Sequence, residues 1–513
     1  MLSHVWSSAV QGISAFPIEI ETNIANGLPR YTVVGLPDGA VRESRDRIWA
    51  ALKNAGLETP HGAITINLAP ADVRKEGAAY DLPIALGLLA AYDALIPQAQ
   101  LDTCCILGEL ALDGALRPVK GVLPIAIQAR KEGRTNLLLP AENAAEASVV
   151  EGIRVFPVQH IRQAFQHLTG REEIPVFERD LSALFEEAQV YTVDMSDVRG
   201  QENVKRALEV AAAGGHNALM VGPPGAGKTM LAQRIPTILP PLTPDEALET
   251  TKIHSVGGKL RSKYGLIATR PFRAPHHTIS DAGLCGGGSN PLPGEISLAH
   301  NGLLFLDELP EFNRQVLEVL RQPLEDGHIT ISRARYAVDY PARFMLIASM
   351  NPCPCGHLNN PKRECTCSPH QVQRYLAKIS GPLMDRIDLH IEVSPVPFDE
   401  LNSRTASESS ATIRERVEAA RAIQQERFRG EAGVYCNAQM GARLVRKHAE
   451  LDATGTQLIK MAIQKLGLSA RGYDRVLKVA RTLADLSASL GIQAEHVAEA
   501  IQYRSLDRSR WQG

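Results

Sequence analysis

Eight residues, Gly222-Pro223-Pro224-Gly225-Ala226-Gly227-Lys228-Thr229, constrain this chain more than any others, because they match G-x-x-x-x-G-K-[ST] in full. An apolar run, Ala218-Leu219-Met220-Val221, precedes them, and a helix-compatible stretch, Met230–Arg234, follows. A phosphate-binding loop needs this strand–loop–helix setting. Its glycines let successive backbone N–H groups face the phosphates, Lys228 adds charge, and Thr229 offers a hydroxyl to Mg²⁺. A chance Gly/Pro turn would have no reason to sit between these two segments. The pattern implies binding of ATP or GTP with Mg²⁺.

Two further segments belong to the same chemistry. Leu303-Leu304-Phe305-Leu306 is an apolar run ending in Asp307-Glu308, and it reads as a strand covered on both faces, as in a parallel sheet. Phosphoryl transfer needs charge neutralisation and a placed nucleophile; Asp307 can orient Mg²⁺ and Glu308 can polarise the attacking water. A helix N-terminus with acidic first-turn residues would explain Glu311 but not this pair. Phe344–Met350 is another apolar strand, and it ends in Asn351.

The rest of the composition narrows the setting. At 513 residues the chain is expected to hold about three domains. It is 44% hydrophobic and 22% charged with a net charge of −2, so affinity for nucleic acid must come from local patches. The start lacks a basic segment followed by an apolar core, and the run around Leu82–Tyr92 is too short to span a bilayer. A cytoplasmic protein with no membrane partner is expected, with its eight cysteines as thiols or metal ligands.

Taken in order, residues 1–170 mix strands and helices and read as an α+β domain. Phe16–Glu21 and Ala63–Leu68 alternate as strands do, whereas Val41–Ala55 and Leu82–Ala94 have helical spacing. Gly108–Leu116 reads as a strand and turn before a helix at Leu123–Lys131. Residues 171–192 carry mixed charge and no periodicity and read as a linker. Asp197–Glu202 then opens a helix over Asn203–Ala213. Residues 193–395 are assigned to an α/β ATPase core and residues 396–513 to a helical lid, where Val476, Val479, Ala480, Leu483 and Leu486 recur at helical spacing.

Three local features bear on what the core acts upon. Between Thr251 and Ser280 lie Lys252, Lys259, Arg261, Lys263, Arg270 and Arg273 with no acidic residue, and the Gly257-Gly258 turn suggests a β-hairpin inserted in the helix following the phosphate loop. A second hairpin is read at His328–Arg343, with Arg333, Arg335 and Arg343 around Tyr336. Basic side chains with an interleaved aromatic suit a DNA backbone, and Lys259, Arg261, Lys263, Arg333 and Arg335 are the candidate contacts; a solvated basic face or a subunit contact is the bland alternative. Cys353, Cys355, Cys365 and Cys367 form two close pairs separated by a short loop, a spacing that can surround a structural Zn²⁺, with His357 or His370 as substitute ligands and four metal-free thiols as the alternative. Finally, Asp485-Leu486-Ser487-Ala488-Ser489 matches the D-x-S-x-S adhesion-site pattern but continues an amphipathic helix, so a metal is not expected there.

The phosphate loop, the Asp307-Glu308 strand and the Asn351-tipped strand, in this order, resemble an AAA+ ATPase. The resemblance implies that Asn351 senses the γ-phosphate, that Asp197–Glu202 packs near the adenine, and that the protein works as a hexamer in which an arginine reaches the neighbour's site. Gly381–Leu389 is similar to the finger segment of the magnesium-chelatase and replicative-helicase branch, which points to Arg386; a surface salt bridge within Asp385–Asp388 is its alternative role. Ser469-Ala470-Arg471 resembles the start of the lid's sensing helix, with Arg471 as the sensor and Arg475 in reserve.

The first domain resembles the proteolytic domain of Lon-type proteases, a ribosomal S5 domain 2-like fold. The family's serine position is Ala79, after Lys75-Glu76-Gly77-Ala78, and its lysine position is Leu123, so no peptidase activity is expected. Arg273–His277, Pro293–Gly302, Asn351–Gly356 and Ser469–Tyr473 extend the likeness over nearly the whole chain to the ComM (YifB) family, competence-linked relatives of magnesium chelatase. That family implies a homohexameric, ATP-driven DNA motor that promotes branch migration of single-stranded or branched DNA during natural transformation. A chelatase-like ATPase that remodels a protein partner is the alternative.

Overall fold

The apolar runs around the phosphate loop become adjacent strands. The computed structural model describes residues 2–72, 75–93, 96–179, 185, 191–260, 265–288, 291–332, 337–358, 363–397, 400, 407–431 and 433–504. The chain divides into two compact units, one of Met1–Gln189 with Pro244–Ala268, the other of Val190–Thr243 with Thr269–Gly513.

The first unit is built on a seven-stranded mixed sheet of order β3-β4-β2-β1-β5-β8-β9. Its strands are β1 (Leu2–Gln11), β2 (Ser14–Ala25), β3 (Arg30–Val34), β4 (Ala63–Ala69), β5 (Cys104–Ile106), β8 (Asn136–Pro140) and β9 (Arg154–Val158). β1 and β2 form an antiparallel hairpin, and β4 runs antiparallel to β2. The alternation expected at Phe16–Glu21 and Ala63–Leu68 buries Ile18 and Ile20 with Ile64, Ile66 and Leu68 on one face. Against it pack the helices Ser44–Asn54 and Asp81–Asp93, contributing Ile48, Leu52, Leu82, Ile84 and Leu86 to one core. A ribbon of β6 (Glu109–Leu110) and β7 (Leu116–Arg117) precedes the helix Val122–Lys131, as the sequence implied. At the two protease-like positions, Ala79 gives only its carbonyl to Gly108 N–H at 2.9 Å, and Leu123 is a buried core residue.

The expected hairpin after the phosphate-loop helix is a correction. Thr251–Val256 completes a helix, Pro244–Val256, which ends in a turn at Gly257-Gly258, and it belongs to the first unit rather than the ATPase core. Leu248 packs on the cluster formed by Leu123, Ile125 and Ala126, and Ser255 O accepts from Gly121 N–H at 3.3 Å. A buried helix face explains why glycines and basic residues alone misread this segment. Lys259 is exposed just beyond the turn, whereas Arg261 and Lys263 lie outside the described residues.

The second unit carries a five-stranded parallel sheet of order β11-β14-β17-β10-β18, from β10 (Ala218–Val221), β11 (Phe272–Arg273), β14 (Leu303–Leu306), β17 (Met345–Met350) and β18 (Leu389–Glu392). Every residue of β10, β14 and β17 is buried, as continuous apolar runs require when helices cover both faces. Two small antiparallel ribbons complete it, β12 (Gly286–Gly287) with β13 (Leu292–Pro293), and β15 (His328–Ser332) with β16 (Ala337–Pro341). The second is the hairpin read at His328–Arg343; Arg333, Arg335 and Tyr336, between its strands in the sequence, lie outside the described residues. C-terminal to the sheet, the helices Ser410–Arg427, Ala442–His448, Ala453–Leu466, Ala470–Leu486 and Ala494–Gln502 form the helical region. Val417, Ala420, Val476 and Leu483 pack with Val204 and Leu208 of the helix Glu202–Gly214 in one core.

Candidate functional site

In a parallel sheet the carboxyl ends of the strands share one edge, and loops leaving that edge build the site. Here β10 leads into the phosphate loop, β14 into Asp307-Glu308 and β17 into Asn351. The loop is tightly held. A side chain on Gly222 would meet the carbonyl of Val393 at 2.1 Å, so only glycine lets the backbone pass beside the strand β18. Gln201 clamps the loop from the start of the helix Glu202–Gly214, its Nε2 donating to Ala226 O at 2.8 Å and Ser394 O at 3.1 Å.

Lys228 is the first residue of the helix Lys228–Ile238 and is buried. Its ammonium has three protons, and three acceptors meet them: Gly222 O at 2.7 Å, Pro223 O at 3.0 Å and Asn351 Oδ1 at 3.2 Å. Burial pushes its pKa down, opposed by the carboxylates of Asp307 and Glu308. Thr229 Oγ1 donates to Asp307 Oδ2 at 2.8 Å. Ser349 Oγ donates to the other oxygen of Asp307. Ser349 and Asn351 are two apart and so share a strand face, which aims one at the carboxylate and the other at the ammonium. Thr229 and Asp307 are hard oxygen donors side by side, the donor set that Mg²⁺ takes together with substrate phosphates.

Glu308 is half exposed and has a left-handed backbone, φ 54°, unusual for a non-glycine residue and a conformation that stores strain at functional positions. The turn swings its carboxylate toward His277, whose Nδ1 lies 3.8 Å from Glu308 Oε2. His277 in turn stacks on His276 at 4.1 Å. Gln201, His277 and Ser349 are site residues that motif reading did not single out. Ser349 could have been found as the polar residue in an otherwise apolar strand.

The basic residues between Thr251 and Ser280 are partly spent on structure. Arg270 donates to the carbonyls of Pro240, Pro241 and Asn301. Arg273 forms a bidentate pair with Glu295 at 2.6 and 2.7 Å. Lys252 is half-buried in its helix.

Arg386 and Arg471 take their partners away from Lys228 and Asn351. The Arg386 side chain is 8% exposed, donates through Nη1 to Pro382 O at 2.6 Å, and pairs through Nη2 with Glu325. The alternative of an ion pair within Asp385–Asp388 is not what forms. Asp385 faces Arg471 at 3.7 Å, and buried Asp388 binds Arg475. Arg471, at the start of the helix Ala470–Leu486 capped by Ser469, is 63% exposed and open to a ligand, whereas Arg475 is committed to Asp388. Asp388 also accepts from His216 Nδ1 at 3.1 Å, and its pKa is held far down, burial being outweighed by the Arg475 charge and the His216 hydrogen bond. Asp485 of the adhesion-like pattern is buried and bound to Arg427, Arg481 and Asn437, which accounts for it without a metal.

The four cysteines converge. Sγ–Sγ separations are 3.4 Å for Cys353–Cys355, 3.7 Å for Cys353–Cys365 and 3.6 Å for Cys355–Cys365, and all four sulfurs lie within 4.8 Å of one another. Four sulfurs at about 2.3 Å from one Zn²⁺ in tetrahedral array are ~3.8 Å apart, so the edges fit. Backbone N–H groups point at the sulfurs, Leu358 N to Cys353 at 3.3 Å and Cys355 N to Cys367 at 3.4 Å. Those of His357 and Thr366 pull the Cys355 thiol down to about 5. Neither His357 nor His370 joins the group. The centre braces the phosphate loop, because Gly356, at φ 80°, packs so closely that a Cβ would lie 2.5 Å from Pro224 Cδ. No helix among the described residues is long and apolar enough to cross a membrane.

Comparison with known proteins gives the family. Residues 194–401 match the family described as magnesium chelatase, subunit ChlI; residues 20–143 match subunit ChlI of Mg-chelatase, and residues 407–504 its C-terminal part. The chain is 46% identical over 511 residues to the uncharacterized protein YifB of Salmonella typhimurium, covering 99% of this chain and 98% of that one. It is 45% identical over 513 residues to the competence protein ComM of Haemophilus influenzae, with the same coverage. A more distant relative is the Holliday junction branch migration complex subunit RuvB of Thermotoga petrophila, 24% identical over 59% of this chain and 81% of its own length.

Proposed function

The chain belongs to the YifB/ComM family of magnesium-chelatase-related AAA+ ATPases, and from that premise we propose that it is a homohexameric ATP-driven DNA motor that promotes branch migration when incoming DNA is recombined. The observation that carries the reading is the convergence of Lys228, Thr229, Asp307, Glu308 and Asn351 at one sheet edge, in a chain that matches a competence protein end to end.

ATP phosphates would replace the carbonyl and amide partners of Lys228, and Thr229 with Asp307 would hold Mg²⁺, whose charge would offset that of the phosphates. Glu308 orients the attacking water. Asn351 loses its contact with Lys228 when phosphate arrives and reports the γ-phosphate to β17. Arg386 and Arg471 serve the site of a neighbouring copy. Cys353, Cys355, Cys365 and Cys367 would hold Zn²⁺ and with it fix the loop that abuts Pro224; four protein ligands would leave the metal no open position, which suits a structural role. Lys259, Arg261 and Lys263, and Arg333 and Arg335 between β15 and β16 in the sequence, contact DNA phosphates.

The test is the ATPase rate with and without single-stranded DNA. DNA is expected to accelerate the native protein, and changing Lys259, Arg261 and Lys263 together, or Arg333 and Arg335 together, to alanine should weaken that acceleration and its salt dependence. A rate indifferent to DNA would favour the second reading, a chelatase-type ATPase that remodels a protein, in keeping with the match to magnesium chelatase, subunit ChlI.

A further inference from the structure

Arg386 is poorly placed to act as it stands. Its side chain is 92% buried, and among the described residues its Nε has no hydrogen-bond partner and its one carboxylate partner is Glu325 of the same chain. Glu325 itself is 54% exposed. The two residues line one cavity of about 640 Å³ with Glu318, Arg321 and the strand residues Ile329 and Ile331. Burial lowers the Arg386 pKa, Glu325 opposes this, and the charges of Arg321, Arg471 and Arg475 lower it further. Glu325 is thus the counter-charge that holds this guanidinium, and an incoming anion would have to compete with it.

The position of Glu325 in the chain matters as much as its contact. It lies on the helix Arg321–Asp326, which is capped by Gly327 and runs directly into β15 at His328. The partner of Arg386 is thus three residues from the hairpin, and the hairpin's own strand walls the cavity in which the pair sits. Glu325 and the hairpin thus share one short stretch of backbone.

We propose that Glu325 is a positioning residue that holds Arg386 back within its own subunit and yields it to a neighbour's nucleotide phosphate when the hairpin is loaded. The inference rests on the reading of Arg386 as the residue that acts across a subunit boundary. It makes the hairpin's contact with DNA a brake release. In the unloaded protein Glu325 competes with phosphate for one guanidinium, so hydrolysis is slow; displacement of the Arg321–Asp326 helix removes the competitor. A half-exposed pair is worth little, which suits a contact that must be exchanged repeatedly.

ATPase rates with and without single-stranded DNA for the native chain, Glu325→Gln, Glu318→Gln and Arg386→Ala test it. Glu325→Gln should raise the DNA-free rate about two- to fivefold, the range that removal of an exposed ion pair allows. It should lower the ratio of DNA-stimulated to DNA-free rate by the same factor and leave KM for ATP unchanged. Glu318→Gln, which removes the partner of Arg321 instead, should resemble the native chain. A structural lesion lowers a rate, so the rise itself marks release. If Arg386→Ala abolishes hydrolysis while Glu325→Gln keeps or lowers the native rates, the brake is refuted and the reading of Arg386 survives. If Arg386→Ala hydrolyses ATP at the native rate, both fall.

Discussion

Replacing Asp388 by asparagine removes a charge on which three segments converge. Asp388 follows Arg386 by two residues, binds Arg475 on the helix Ala470–Leu486, and receives His216 from the turn between the helix Glu202–Gly214 and β10. His216 also lies 2.8 Å from Thr482 of the same helix, so the junction ties the turn before β10, the segment around Arg386 and the helix Ala470–Leu486 together. The carboxylate is 2% exposed, His216 is fully buried, and the Arg475 side chain is 20% exposed. Asparagine keeps the shape and one acceptor but leaves the guanidinium largely buried and uncompensated. Breaking one side of a buried pair costs 3–5 kcal/mol, and the lower end, about 3 kcal/mol, applies because Arg475 retains some water. At about 2.1 cal/mol/K per residue over a unit of about 300 residues, that lowers the melting temperature by about 5 °C. Differential scanning calorimetry at pH 7.5 measures it, and a double-mutant cycle with Arg475→Gln should give a clearly non-additive result. A shift under about 1 °C, or strict additivity, would mean that the charge is not shared as described.

Two other perturbations follow from the geometry. The native protein should carry about one zinc per chain, and Cys365→Ser should lose it with a fall in melting temperature, because metal affinity adds to the stability of the loop that it orders; a native chain purified with no zinc and indifferent to chelator would remove the centre. His216 and His390 are fully buried and their pKa values are depressed, chiefly by desolvation. The unfolded chain therefore binds protons that the folded chain resists. Stability is complete above the ordinary histidine pKa and is lost as pH falls below about 6.5, by up to about 1.4 kcal/mol per pH unit for each histidine. Melting temperatures at pH 7.5 and 5.5 should differ accordingly, and less so in His216→Asn; equal values would refute the assignment.

What the sequence disclosed about this site was whatever is local in the chain. Val221, Leu306 and Met350 each end an apolar run, and each run became a buried parallel strand with its functional residue at the next position or two. Burial on both faces writes itself as continuous hydrophobicity, so the strands and their tips could be read directly. Side-chain assignments across long separations could not. Glu325 and Arg386 are 61 positions apart, and nothing in either neighbourhood says that they meet. Charge counting over Thr251–Ser280 failed for a related reason. A run of lysines and arginines looks like a patch until it is known that Arg270 is binding three carbonyls and Arg273 a carboxylate. The helix Pro244–Val256 misled because its buried face meets the first unit, a contact set by tertiary packing and not by its own periodicity.

The separation of the two sets of charged residues is itself an argument about how the protein works. On one side, Lys228 has every donor occupied by its own chain and Asp307 has both oxygens hydrogen-bonded, so that half is assembled before nucleotide arrives. Phosphate has only to displace the acceptors that Lys228 finds in its own chain, but among the described residues no arginine bonds to Lys228, Asp307 or Asn351 to meet charge developing on the γ-phosphate. On the other side, Arg386 is held by Glu325 and Arg471 faces Asp385, among guanidinium groups that repel one another. Neither half is at rest electrostatically, and each supplies what the other is short of. Bringing a second copy's arginines to the first copy's phosphate satisfies both at once, so ATP binding would itself favour ring closure. It follows that the nucleotide half alone should bind ATP but hydrolyse it slowly at high dilution, with the rate per chain rising as copies associate.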